Sequence, residues 1–168
     1  MGRNYGSHHS VRPEAPGRGA PREWAWTERV DERSRYTFGM STECDESPSP
    51  LLREGIAQFN RGEYFEQHET LELLWRGEQR EVRRLYQGIL QIGVAFHHLR
   101  RRNYHGTVYM LTRGAHYLTP FSPRCQGVDV ERLLIDATTV LRAVERLGPD
   151  RLGDFDWQLV PRVSYANL

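Results

Sequence analysis

The residues from Leu85 to Leu99 contain no Asp, Glu, Lys or Arg. Laid on a helix at 100° per residue, Leu85, Ile89, Ile92, Phe96 and Leu99 form one apolar stripe. Gln87, Gln91 and His98 lie opposite, interleaved with Val94 and Ala95. A helix this apolar on every side is surrounded by protein, and the run is too short and too polar to span a bilayer. It is therefore expected to be a central helix that carries two glutamines and a histidine inside with it. Each buried polar group left without a partner costs roughly 1–3 kcal/mol, so neighbouring helices must supply partners.

The preceding stretch offers them. Tyr64, His68, Leu71 and Trp75 fall within about 60° of one another on a helix, with Glu72 at the edge of that stripe and Phe65 beside it. Glu69 is further round, and Glu66 and Thr70 point away. An imidazole and a carboxylate at i and i+4, here His68 and Glu72, have the spacing of helical metal sites. Adding His98 from the next helix gives a mixed nitrogen and oxygen set suited to one divalent Zn, Mn or Fe, which would activate water for hydrolysis. Glu69 lies about 60° from Glu72, placed to act as general base without entering the ligand set. The pattern resembles the zincin His-Glu-x-x-His with its second His replaced, and that mechanism needs both. The alternative is a buried hydrogen-bond network of His68, Glu72, Gln87, Gln91 and His98 that fixes helix register. Either way the expected pocket is lined by Tyr64, Trp75, Gln87, Gln91, Asn103 and Arg113, with Arg113 pairing Glu69 or Glu72 or holding an anionic ligand.

Punctuation along the chain marks the other helices. Ser49 can cap and Pro50 can open a first helix with Leu52, Ile56 and Phe59 inward, ended at Asn60-Arg61-Gly62. The second is expected over Glu63–Arg76 and the central one over Arg80–Arg101. After a turn at 103–106, Thr107–Leu118 reads as a helix with Val108, Leu111, Ala115 and Leu118 inward, stopped by Pro120 and Pro123. Asp129 can cap a last helix bearing Leu133, Ala137, Val140, Leu141 and Val144, closed by Gly148-Pro149. The fold class is all-α, a compact bundle of about five helices over 47–149. Residues 1–46, rich in Gly, Pro, Arg and Ser, read as an arm or strap docking Trp24-Ala25-Trp26 and Tyr36-Thr37-Phe38 on the bundle. The tail, 150–168, alternates Phe155, Trp157, Leu159 and Val163 around Pro161 and reads as an extended lid. No stretch reads as a strand. A loose echo between Gly62-x-Tyr64 and Asn103-Tyr104, similar to tetratricopeptide spacing, has too few copies for a repeat array.

Charge and cysteine usage exclude several classes. The net charge of +1 favours neither nucleic acid nor an anionic membrane. Every basic residue is Arg, which rules out a Schiff-base or P-loop lysine. Cys44 and Cys125 form no Cys-x-x-Cys pair and no disulfide framework, as in a reducing compartment. With no apolar leader and Gly6 where a myristoylation motif needs Ser or Thr, a cytoplasmic protein is expected.

Two long motifs carry a family resemblance. Phe59-Asn60-x-Gly62-x-Tyr64-Phe65-Glu66-x-His68-Glu69-x-Leu71-Glu72-x-x-Trp75 is followed by Gln87-Gly88-x-x-Gln91-x-x-Val94-Ala95-x-x-His98 and Arg102-Asn103-x-x-Gly106. Over roughly 50–118 the chain resembles the family called domain of unknown function 309, departing at Phe96-His97 and Thr107. The resemblance implies an all-helical fold and the label of predicted metal-dependent hydrolase, with no substrate attached. Two functions stand side by side: a metal-dependent hydrolase acting on a small molecule or peptide, and a non-catalytic helical binding or scaffold module. A homodimer is compatible with both.

Overall fold

The computed structural model describes residues 42–166. Five helices follow one another: α1 (Pro50–Arg61), α2 (Tyr64–Gly77), α3 (Arg83–Arg100), α4 (Tyr104–Leu118) and α5 (Val130–Leu147). Each packs chiefly against its neighbours in sequence, α3 lying between α2 and α4, as short connections require. None is long and apolar enough to cross a membrane.

The local signals explain most helix ends. Ser49 Oγ accepts from the Leu52 amide at 3.1 Å and Pro50 opens α1. Gly62, at φ 75°, returns its amide to the carbonyls of Gln58 and Phe59, a left-handed cap that costs glycine little. Asp129 caps α5 through the Arg132 amide at 2.9 Å. Asn103 does not belong to a free turn before α4, because its side chain caps the helix through the Gly106 amide. The helix consequently begins at Tyr104, three residues earlier than its apolar spacing suggests. Its inward face is also rotated from expectation, with Thr107, Met110, Leu111, Gly114 and Leu118 buried.

The central helix is buried as its sequence demands, from Leu85 through Phe96 and again at Leu99. Glycines let it sit close to α4. A Cβ on Gly88 would meet Leu118 Cγ at 2.7 Å and the Gly114 carbonyl at 3.1 Å, and one on Gly114 would meet the Gly88 carbonyl at 3.1 Å. On the other side, Phe59, Tyr64 and Phe96 join α1, α2 and α3 through ring contacts of 5.6–6.1 Å.

Three expectations need correction. A two-stranded antiparallel hairpin, β1 (Arg124–Cys125) with β2 (Val128–Asp129), stands between α4 and α5. It is too short for any alternation to register, and it turns through Gln126 and Gly127 at positive φ. Cys44 and Cys125 are bonded to each other across 81 residues, so the argument from unpaired cysteines to a reducing compartment no longer holds. The tail, expected as an extended lid, is extended only in part. It winds through short turns at Leu152–Asp154 and Trp157–Leu159, burying Leu152, Phe155 and Val163, and then bridges Val128 through Tyr165. The docking of the Trp24 and Tyr36 patches falls outside the described residues.

Asn60 explains why the tail closes where it does. Its side-chain amide donates to the Val163 carbonyl at 2.9 Å, and its Oδ1 accepts from the Val163 amide at 2.8 Å. One side chain thus acts as a strand partner for the tail. Asn60→Ala removes both bonds and is expected to cost about 1–3 kcal/mol. Faster hydrogen exchange at Val163, with α1 amides unchanged, is the measurement that checks it.

Candidate functional site: the polar seam between α2 and α3

The seam forms because α2 turns a mixed face, Tyr64, Gln67, His68, Leu71 and Trp75, onto α3. Its best-buried polar residue is Gln67, fully inaccessible. The Gln67 amide donates to the Ile89 carbonyl at 3.2 Å. Its Oε1 rests where a side chain on Gly93 would stand, and it has no hydrogen-bond partner among the described residues. Gly93 therefore acts as the seat for a carboxamide. Gln67 is not among the site residues that helical spacing predicts. Its angular position, about 40° from Leu71 on the apolar stripe, and the glycine inside an apolar helix were the available signals.

His68 is buried beside it, with Nδ1 4.0 Å from Glu72 Oε2. The other Glu72 oxygen is held by Arg76 at 2.6 Å, so the carboxylate is shared within one helix face. Among the described residues, no three His, Cys, Asp or Glu side chains are grouped so as to hold a metal ion. The structure does not bring His98 to the His68–Glu72 pair in that sense. His98 lies towards α4, where its Nδ1 is 3.1 Å from Asn103 Nδ2. Glu69 is exposed.

The remaining predicted pocket residues have separate duties. Tyr64 carries the Arg100 guanidinium 4.7 Å above its ring, and Trp75 carries that of Arg83 at 5.2 Å. Gln87 and Gln91 are buried on α3, and Asn103 is the α4 cap. Arg113 pairs with neither Glu69 nor Glu72. It donates to the hydroxyls of Tyr109 at 2.6 Å and Tyr117 at 3.0 Å along its own helix. The i±4 spacing on α4 outcompetes carboxylates on another helix.

Burial lowers the pKa of His68, opposed by Glu72 and Glu69. Burial also lowers that of His98, helped by His97 and Arg101. Both imidazoles take up protons more readily in the unfolded chain, where the value is about 6.5. Their contribution to stability is therefore complete above that pH and is lost as pH falls through the lowered folded values. Urea midpoints should drop between pH 7.5 and 5.5, and the drop should shrink in His68→Gln.

The family model described as Domain of unknown function (DUF309) matches residues 52–110. That segment is a DUF309 domain. It runs from α1 into the first half of α4 and so contains the whole seam. The hairpin, α5 and the tail lie beyond the DUF309 match. No curated protein and no solved structure matches the chain.

Proposed function

We propose that this chain is a non-catalytic helical binding module and that the DUF309 seam is a structural network. The observation that carries this reading is Gln67. The most deeply buried polar group of the seam is spent on holding α2 to the Ile89 carbonyl, seated in the space that Gly93 leaves open, a use that fixes helix register. Glu72 is likewise engaged by Arg76.

A metal-dependent hydrolase is the second reading, and one observation favours it. His68 and Glu72 share a helix face, and burial favours the neutral, ligand-competent form of both His68 and His98. In that reading one Zn, Mn or Fe ion is held by His68, Glu72 and His98, with Glu69 as base and a small molecule or peptide as substrate.

His68→Ala separates the two. A structural seam predicts a loss of about 1–3 kcal/mol with no metal in either protein and melts indifferent to chelator or added Zn, Mn or Fe. Stoichiometric metal in the purified wild type, absent from a normally folded His68→Ala, would overturn the module.

A further inference from the structure

The small net charge conceals a strong segregation. Residues 82–128 contain seven arginines and no Asp or Glu, while the rest of the chain holds sixteen arginines against twenty-two acids. That acid-free stretch is α3, α4 and the hairpin. Among the described residues, only one of its arginines, Arg84, has a carboxylate partner, Glu81 at 3.5 Å. Elsewhere five of the nine described arginines, Arg61, Arg76, Arg80, Arg132 and Arg151, are paired with acids.

The structure turns part of this uncompensated charge outward in one place. His105, Tyr109, Thr112 and His116 are exposed along one stripe of α4, with Arg113 at its edge. Arg101, the C-cap of α3, is exposed three residues before the helix begins. Arg100 does not join them, since it is spent on the Gly62 carbonyl at 2.7 Å and on the Tyr64 ring. Tyr109 is 52% exposed, a large aromatic ring offered to solvent. Arg113 lies between Tyr109 and Tyr117 and donates to both hydroxyls. Each phenol, having accepted from the guanidinium, keeps its own O–H free to donate outward, and Arg113 keeps three further N–H donors. The stripe measures about 18 Å from His105 to Tyr117 at 1.5 Å per residue.

We infer that the outer face of α4, entered at Arg101, is a docking surface for single-stranded nucleic acid. An acidic protein would satisfy the cations alone. The added feature here is an exposed aromatic ring held between cationic and hydroxyl donors, the pairing that stacks a base and binds its phosphate together. A flexible single strand can present base faces to one helix side, which a duplex keeps stacked inside. The surface lies apart from His68 and Glu72 and does not depend on what they do.

The test uses the full chain and a fluorescein-labelled oligouridylate of about twelve nucleotides, within the range a single-strand site covers, read by anisotropy over a salt series. Wild type should bind with an affinity that falls with salt. Arg101→Gln/Arg113→Gln should weaken binding about tenfold or more and flatten the log–log salt slope by about 1.4, for two phosphate contacts at roughly 0.7 each. Tyr109→Ala should weaken binding while leaving that slope unchanged. Arg132→Gln, on α5 and paired with Asp136, should change nothing. His68→Ala, if folded, should bind as wild type does, so this result is separable from the fate of the seam. No binding by the wild type, equal binding to a duplex of the same length, tighter binding to polyglutamate, or indifference to the Arg101/Arg113 and Tyr109 changes would each overturn the assignment.

Discussion

Reduction of the Cys44–Cys125 disulfide is expected to lower the free energy of unfolding by about 4 kcal/mol. The bond joins residues 81 apart and encloses α1 through α4. Its main effect is to restrict the unfolded chain, where closing so long a loop costs the most entropy. The folded state keeps its other ties at that point. The Gln126 amide donates to the Cys44 carbonyl at 2.7 Å, the Gln126 side chain bridges the Tyr86 hydroxyl and the Glu43 carbonyl, and Glu43 accepts from the Val82 amide. Reduced protein should therefore remain folded in buffer and unfold earlier in urea, by about 2 M for a slope near 2 kcal/mol/M. Cys125→Ala should match the reduced wild type and be indifferent to reductant. Superimposable urea curves for oxidised and reduced protein would mean that the bond does not restrain the unfolded chain in this way.

Gly93→Val is expected to cost about 3 kcal/mol or more, the sum of overpacking in a filled interior and the loss of a buried hydrogen bond. The new side chain would occupy the space of the Gln67 carboxamide. Gln67 can only yield by leaving the Ile89 carbonyl. Gln67→Ala alone removes the amide and leaves a void. The two changes together should recover much of the Gly93→Val loss, because the valine then fills what the glutamine vacated. A double-mutant cycle read by chemical denaturation should give a coupling of about 1–3 kcal/mol. Additive effects would show that Gln67 and Gly93 do not form one unit, and would remove the main support for a structural seam.

The contrast between these two sites shows what was legible in the chain. The existence, number and order of the helices follow from local signals, since caps at Ser49 and Asp129 and the left-handed Gly62 act over three or four residues, whereas Asn103 read as a turn. The central place of α3 follows too, because fifteen uncharged residues have only one stable environment. Periodicity alone also put His68 and Glu72 on one face, where the structure has them.

What only the tertiary structure decided is which polar groups meet across helices. Helical phase defines a direction and leaves the slide of one helix along another open. His97 and His98 differ by about 100° of phase, whereas the slide decides which residue of α3 lies opposite Gln67, here Gly93. The slide was set by the glycines, which allow close approach only at particular heights along α3. The Cys44–Cys125 bond and the Asn60 clasp on Val163 were invisible for a related reason. They join residues 81 and 103 apart in sequence, and no short-range pattern records a contact that exists only once the whole chain has closed.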